Sequence, residues 1–219
     1  MKRFIACVLT GILIVFFIGC DKDNVTDSGT IQIVGTGGVV TKTVNLSAFH
    51  SITNIAMTSV KVTKGTPQQV VLKAQQNILD VITYEIDNGE LTLDFEEGVT
   101  VSTSREIEAE ITIAEINGVT SIGVGNFELT GARQNTLNIN IIGAGNVEAY
   151  NLEVDTCYVT VTGAGNCRVR VNGLLEVIIT GTGIVFYKGH PTIGISITGT
   201  GSVIDDNALV LLKNRRESS

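Results

Sequence analysis

The sequence contains few of the residues on which metal sites and aromatic cores depend. It has no tryptophan, and aromatic residues make up 5% of the 219 positions. Its two histidines, His50 and His190, lie far apart and have no ligand-type residues at metal-binding spacing, which argues against a histidine-based metal centre. Only two prolines interrupt the chain, whereas 24 glycines supply tight turns, so the composition favours stacked short strands over a helical enzyme.

The motifs of nucleotide binding and nucleophilic catalysis are also missing. The sequence has no Gly-x-Ser-x-Gly elbow and no phosphate-binding loop, and its glycine triplets lack the third glycine and the following helix of a dinucleotide fingerprint. A calcium-binding glycine nonapeptide requires aspartate after its glycines, and asparagine, isoleucine or serine stands there instead. The sequence therefore predicts no cofactor and no metal ion.

The N-terminal residues have the pattern of a secretory leader. A basic dipeptide, Lys2-Arg3, precedes the apolar stretch Phe4–Ile18, and a glycine stands directly before Cys20. Residues 16–20 resemble a bacterial lipobox, whose cysteine is lipidated and becomes the new N-terminus. An uncleaved anchor helix is the alternative, but the apolar run is short for a bilayer span of about 20 residues. We therefore predict a lipoprotein signal peptide over residues 1–19 and lipidation of Cys20.

The segment that follows is predicted to be a flexible tether over residues 20–30, because it is polar and has no hydrophobic periodicity. A lipid on Cys20 would attach the chain to a membrane of the cell envelope, with the outer membrane or the cell surface favoured. Loss of the two positive charges Lys2 and Arg3 with the leader changes the formal net charge from −7 to −9. An acidic envelope protein is a poor candidate for binding nucleic acid.

Five Gly-x-Gly triplets recur in the second half of the chain. Their starts are 20, 20, 18 and 18 residues apart, a period typical of solenoid proteins. Each triplet is predicted to form a corner, since glycine tolerates positive φ and lets neighbouring backbones approach closely. The predicted corner residues are Gly123, Gly125, Gly143, Gly145, Gly163, Gly165, Gly181, Gly183, Gly199 and Gly201.

Residues at fixed distances from the triplets alternate between apolar and polar types. The positions two and four residues before each triplet are almost all aliphatic and the position between them is mostly polar, as in a strand with one buried face. Cys157 and Cys167 fall in apolar columns and are predicted to be core residues, although an exported chain could oxidise them to a disulfide. Asn126, Asn146 and Asn166 follow three of the corners and are predicted to form a ladder of amide hydrogen bonds.

The first half of the domain, Ile31–Ile116, lacks the triplets but is rich in alternating strand patterns. Asp87-Asn88-Gly89 stands between two such patterns and is a strong hairpin signal. No long amphipathic helix is predicted, so we interpret this half as less regular coils of the same domain. The predicted β-helix domain covers residues 31–207, with regular coils over 117–207, and a C-terminal cap and polar tail cover 208–219.

The order of these motifs resembles a known family. Segments 49–52, 60–65, 77–81 and 88–93, followed by the Gly-x-Gly coils, are similar to the head GIN domain of "putative autotransporter adhesin" proteins, over roughly residues 39–206. The resemblance implies an all-β fold, a single-stranded right-handed parallel β-helix or β-solenoid with coils of about 18–20 residues. It also implies exported, often lipid-anchored bacterial proteins of uncharacterised function. The 18-residue spacing by itself would suit a left-handed helix equally well, so the handedness comes from the resemblance.

These patterns favour a non-enzymatic adhesion or binding scaffold of the cell envelope, with a protein or a glycan as its ligand. The alternative is a polysaccharide-active lyase or hydrolase, because β-helices often carry such activities. Its candidate residues are the column Glu128, Glu148 and Arg168 and the pair Asp205-Asp206, although we expect the column to be a solvated charge ladder. Imperfectly covered helix ends are expected to permit self-association.

Overall fold

The described part of the chain consists almost entirely of β-strands. The computed structural model describes residues 29–56 and 59–207. The predicted signal peptide, Cys20, most of the predicted tether and the predicted cap over 208–219 therefore lie outside the described residues. No helix within the described ranges is long and apolar enough to cross a membrane.

Short strands make up the first half of the described chain, and the longest strands lie in the second half. The first half contains β1 (Ile31–Val34), β2 (Val39–Val44), β3 (Ser51–Asn54), β4 (Ser59–Lys64), β5 (Gln69–Gln75), α1 (Gln76–Leu79), β6 (Ile82–Asp87), β7 (Glu90–Phe95), β8 (Val99–Ser102) and β9 (Glu108–Ile113). The second half contains β10 (Gly118–Gly123), β11 (Asn126–Gly143), β12 (Val147–Gly163), β13 (Asn166–Gly181), β14 (Ile184–Lys188), β15 (Thr192–Gly199) and β16 (Ser202–Asp205).

Fourteen of the described strands form one curled, open sheet, and β1 pairs with β8 in a separate parallel sheet. The main path of the large sheet runs in the order β16-β14-β13-β12-β11-β10-β3-β7-β6. The pairing of β11 shows how the sheet curls, because its first part pairs with β4 and its last part with β10. Antiparallel pairs join β2 to β5, β5 to β9 and β6 to β7.

The predicted fold class, a single-stranded right-handed parallel β-helix over residues 31–207, is therefore wrong. A helix of that kind pairs successive coils in one direction, whereas this sheet mixes parallel and antiparallel strands. The physical reason lies in the turns of the first half. Asn88 and Gly89 have positive φ values of 50° and 79° and form a tight turn that reverses the chain, so β6 and β7 pair antiparallel.

In the second half, neighbouring strands pair in parallel at the spacing of the glycine triplets. Gly143 lies beside Gly163, and Gly163 lies beside Gly181. Gly163 has a φ of 130°, in the region that favours glycine. A Cβ atom on Gly163 would collide with the backbone carbonyl oxygen of Gly143, which accepts a hydrogen bond of 2.8 Å from the Ala164 N–H. The two backbones approach so closely that a side chain does not fit between them.

Apolar side chains on the inner side of the curled sheet form one continuous core. Ile139, Val159 and Val177 lie side by side on β11, β12 and β13, and none is more than 2% exposed. Cys157 and Cys167 are buried in the same core as free cysteines. Burial raises the pKa of the Cys157 thiol to about 12 and the pKa of Cys167 well above its ordinary value, so neither thiol is poised as a nucleophile.

An ion-pair network on the outer surface joins β4, β5 and β9. Glu108 accepts hydrogen bonds from Lys61 Nζ at 2.8 Å and from Lys73 Nζ at 3.2 Å, and Lys73 also lies 2.6 Å from Glu110. The hydrogen bond from Lys61, supported by Lys73, lowers the pKa of Glu108 to about 2. β4 is parallel to β9 and β5 is antiparallel to it, so the network connects a parallel strand pair to an antiparallel one.

We expect Gly163→Ala to lower the free energy of unfolding by about 2–4 kcal/mol, because it combines positive-φ strain with overpacking against the neighbouring backbone. Gly123→Ala is the matched control, since Gly123 has a φ of 90° but nothing within 4 Å of an added Cβ. Positive-φ strain alone should lower the free energy of unfolding of Gly123→Ala by about 1 kcal/mol. Urea titration of both variants measures the difference, and equal losses would contradict a close approach at Gly163.

The network around Glu108 should make stability depend on pH. Because folding lowers the pKa of Glu108, its stabilising effect is fully present above the ordinary carboxyl value of 4.5 and is lost as the pH falls from 4.5 through about 2. We expect Glu108→Gln to lower the free energy of unfolding by about 1–2 kcal/mol at neutral pH. Below the pKa of Glu108 in the folded protein, the substitution should change it by almost nothing. Urea unfolding across this range measures the cost, with Glu176→Gln at an exposed position of β13, outside the network, as the control. A cost for Glu108→Gln that does not change with pH would refute the interpretation.

Candidate functional site

One outward face of the large sheet is formed by parallel strands that carry asparagine, threonine and tyrosine. Asn138 and Tyr158 lie side by side on β11 and β12, and Asn140 and Thr160 lie side by side two residues further along. Thr120 of β10 extends the second row, because it pairs with Asn140. We call the surface formed by Thr120, Asn138, Asn140, Tyr158 and Thr160 the asparagine–threonine groove.

The depth of the asparagine–threonine groove comes from Gly118, which pairs with Asn138 but has no side chain to fill the space. The resulting groove has a volume of about 430 Å³, and Glu90 is among the residues that line it. The Tyr158 side chain is large and 44% exposed. Asn138 Nδ2 donates a hydrogen bond of 3.0 Å to the Asn117 carbonyl oxygen, which holds the Asn138 amide in place.

Tyr158 and the groove were not predicted from the sequence. The outward position of Tyr158 follows from its place between the buried residues Cys157 and Val159. An aromatic ring at an outward strand position, with Asn138 and Glu176 at the corresponding positions of the neighbouring strands, was therefore the available signal.

A second outward face carries charged side chains. Lys61, Glu128, Glu148, Arg168 and Phe186 form one row across β4, β11, β12, β13 and β14. Glu148 and Arg168 form an ion pair, and the Arg168 guanidinium lies 4.7 Å from the centre of the Phe186 ring. The column of Glu128, Glu148 and Arg168 is thus a row of solvent-accessible charges, in which an ion pair contributes about 0–1 kcal/mol.

Tyr150, Lys188 and Asp206 form a cluster beside this row, at the border of a cleft of about 540 Å³. The Tyr150 hydroxyl donates a hydrogen bond of 2.7 Å to Asp206 Oδ2, and Lys188 Nζ lies 4.2 Å from the centre of the Tyr150 ring and 3.8 Å from the same carboxylate. Burial raises the pKa of Tyr150, and the hydrogen bond to Asp206 adds to the shift. Asp205 instead accepts a hydrogen bond of 2.8 Å from the Asn207 N–H. The cluster therefore attaches the end of β16 to β12 and β14.

The three asparagines that follow glycine corners are connected from strand to strand. Asn146 Nδ2 donates to Asn126 Oδ1 at 3.1 Å, and Asn166 Nδ2 donates to Asn146 Oδ1 at 3.2 Å. The backbone N–H groups of Asn146 and Asn166 donate to the same oxygens at 3.1 Å, and the Ile184 N–H donates to Asn166 Oδ1 at 3.2 Å. These amides are occupied by contacts that hold the corners together, so they offer little to a ligand.

The histidines do not meet in a site. His50 Nδ1 lies 3.3 Å from Ser51 Oγ, and His190 is an exposed residue that precedes β15. Within residues 29–56 and 59–207, no three His, Cys, Asp or Glu side chains are grouped as metal ligands would be.

The fold is similar to solved structures of bacterial proteins. A structure described as a putative adhesin from Bacteroides fragilis NCTC 9343 gives a TM-score of 0.54 at 20% identity, covering 78% of this chain and 99% of that chain, and this likeness shows the fold alone. A putative lipid binding protein from Parabacteroides distasonis ATCC 8503 gives 0.44 at 16% identity, with 80% and 99% covered. A putative adhesin from Parabacteroides merdae ATCC 43184 gives 0.43 at 15% identity, with 79% and 98% covered. No curated protein matches the chain in sequence.

A family model described as "Putative auto-transporter adhesin, head GIN domain" matches residues 48–141 and 99–191. These overlapping matches cover more than half of the chain and include the asparagine–threonine groove and most of the glycine corners. Neither the family description nor the description of the Bacteroides fragilis structure names an enzymatic activity. The resemblance seen in the strand and glycine motifs is confirmed, and the chain belongs to the head GIN domain family of putative auto-transporter adhesins.

Proposed function

We propose that the protein is a non-enzymatic adhesion protein of the bacterial cell envelope that binds a glycan or another protein through the asparagine–threonine groove. Membership of an adhesin-type family supports a binding role at an exposed surface. The observation that carries the proposal is the groove itself, in which amide and hydroxyl groups surround an exposed tyrosine ring. This combination is typical of sites that recognise polar ligands with some apolar surface.

The groups in the groove match the chemistry of a neutral glycan. Asn138 and Asn140 carry amide donors and acceptors, and Thr120 and Thr160 carry hydroxyls, so each can exchange hydrogen bonds with the hydroxyls of a sugar. The Tyr158 ring adds apolar surface for the C–H face of a sugar ring, and its hydroxyl adds a further polar contact. The charged residue that lines the groove is Glu90, whose carboxylate accepts a hydrogen bond from the Thr53 hydroxyl, so a neutral glycan fits the groove better than an anionic one.

The strands hold these side chains at fixed spacing. Neighbouring strands lie about 4.8 Å apart, and outward residues on one strand recur about every 6.6 Å. The core residues between them, Ile139 and Val159, are almost completely buried, which fixes the backbone under the groove. A ligand can therefore make several contacts at once without ordering the backbone that carries them, which favours binding.

We also infer that lipid attachment at Cys20 holds the domain at the membrane. The lipobox-like residues 16–20 and the polar segment that follows support this inference. Eight residues separate Cys20 from the first described residue, Gly29, so the span between the two is about 30 Å at most. That length would let the groove stand clear of the lipid headgroups and reach a ligand.

We expect Cys20→Ala to move the protein from the membrane fraction to the soluble fraction, because the thiol that carries the lipid is lost. Cys7→Ala is the matched control, since it removes a leader cysteine that lies outside the lipobox-like segment and should leave the protein in the membrane. Fractionation followed by mass spectrometry of the N-terminal peptide measures both. Continued membrane association of Cys20→Ala, insensitive to globomycin, would refute lipid anchoring.

We expect Tyr158→Ala to weaken glycan binding by at least about tenfold, since exposed aromatic side chains at the centre of a binding surface contribute more than about 1.4 kcal/mol. Binding of the purified chain to an array of neutral and acidic glycans measures this, with Asn140→Ala as a second groove variant. Glu128→Ala, on the charged face, is the control and should bind normally. Equal losses in the groove and control variants, or retention of binding by Tyr158→Ala, would contradict a groove site.

A further inference from the structure

The second row of outward side chains in the asparagine–threonine groove continues onto two strands beyond it. Thr160 of β12 lies beside Ile178 of β13, and Ile178 lies beside Ser196 of β15. Together with the groove residues Thr120 and Asn140, these side chains form a continuous row across five parallel strands. We call Thr120, Asn140, Thr160, Ile178 and Ser196 the long row.

The long row is bounded at both ends. Neighbouring strands lie about 4.8 Å apart, so its four spacings extend over about 19 Å. Beyond Thr120 the row meets Thr53 of β3, which is 7% exposed and donates its hydroxyl hydrogen bond to Glu90. At the other end, β15 pairs only with β13 among the described strands. The accessible part of the row therefore runs from β10 to β15.

The long row contains no charged side chain, and neither does the next outward row towards the glycine corners. That next row consists of Ile122, Ile142, Thr162, Thr180 and Thr198. The charged row with Glu128, Glu148 and Arg168 lies on the other outward face. The long row therefore offers hydrogen bonds without fixed charges, which suits a neutral ligand.

Apolar surface is exposed on three neighbouring strands of this face. Ile142 of β11 is 41% exposed, Tyr158 of β12 is 44% exposed and Ile178 of β13 is 52% exposed. Covering such side chains removes apolar surface from water and favours binding. The face thus combines apolar side chains with hydroxyls and amides from strand to strand, as a series of sugar rings would require.

We propose that the ligand is an unbranched neutral polysaccharide that lies across the strands along the long row. This inference rests on the proposed function, because it extends the same site from β12 to β13 and β15. A linear polysaccharide repeats its hydroxyls and its C–H faces at every ring, and the sheet repeats its outward side chains at every strand. Rings beyond those held over β10 to β12 contact Ile178 and Ser196.

The dimensions of the face favour a ligand that crosses the strands over one that follows a strand. Along β12, the outward residues Tyr158, Thr160 and Thr162 span about 13 Å and end at the corner glycine Gly163. The long row is longer and is not interrupted by a corner. A chain that crosses the strands therefore makes more contacts at once.

A second copy of the chain is the competing occupant, since exposed apolar side chains also form protein interfaces. The polar groups of the long row argue against it. Packing Thr120, Asn140, Thr160 and Ser196 against a second apolar surface would bury hydroxyls and amides without hydrogen-bond partners. The hydroxyls of a polysaccharide both donate and accept, so they supply those partners.

The test is the dependence of affinity on the length of the ligand. Calorimetric titration measures binding of cello-, laminari-, manno- and chito-oligosaccharides, from single sugars to about six units, to the purified chain. Ile178→Ala probes the part of the long row outside the groove. Ile31→Ala is the matched control, since Ile31 is 62% exposed on β1, in the separate sheet.

We expect at least one series to gain at least about tenfold in affinity from the disaccharide to the tetrasaccharide, and then to level off because the long row ends at β15. Ile178→Ala should weaken tetrasaccharide binding at least about fivefold and leave disaccharide binding unchanged, since only the longer chain reaches β13. Ile31→Ala should change neither.

Affinity that does not depend on length, or equal effects of Ile178→Ala on both lengths, would overturn the inference and leave the groove site standing. Tetrasaccharide binding that survives Tyr158→Ala would instead contradict the groove site itself. If no series binds, the inference fails, whatever ligand the groove takes. Sedimentation of a dimer that Ile178→Asp dissociates would then assign the face to a second copy.

Discussion

The close approach of backbones at the glycine corners determines which residues of neighbouring strands lie side by side. The Ala164 N–H donates to the Gly143 carbonyl oxygen, and the Thr182 N–H donates to the Gly163 carbonyl oxygen, each at 2.8 Å. A side chain on the corner glycine would separate these partners. Because a slip of one residue would turn every apolar side chain of a strand outward, the corners protect the core as well as the turns.

The surface chemistry depends on the same register. Parallel pairing places Tyr158 beside Asn138 and Thr160 beside Asn140, so residues 20 apart in sequence form one groove. It also places Glu148 beside Arg168, which pairs opposite charges on the other outward face. The groove lies on strands whose backbone is fixed by a buried core, whereas the β15 edge is the place where that core is exposed. The same apolar core thus makes the groove rigid and is exposed to solvent at the β15 edge.

The sequence predicted the parts of the structure that depend on local or periodic signals. The glycine spacing predicted the pairing of Gly143 with Gly163, and Asp87-Asn88-Gly89 predicted the β6–β7 hairpin. The fold class was wrong because pairings in the first half follow no period. β3 pairs with β7 and β10, which join Ser51 to Glu90 and to Gly118, and no repeated motif marks these contacts. The Glu108 network was missed for the same reason, since its three strands are distant in sequence.

Hydrogen exchange at the corner amides of the full-length protein tests the role of the glycine contacts most directly. The Ala164 and Thr182 amides should exchange only through global unfolding, as slowly as those of the buried residues Val159 and Val177, because their hydrogen bonds to the neighbouring corner fix the register. Exchange of Ala164 and Thr182 at the rate of an exposed turn amide such as Asn88 would contradict this account. It would mean that the corners open independently of the core and do not determine how the strands align.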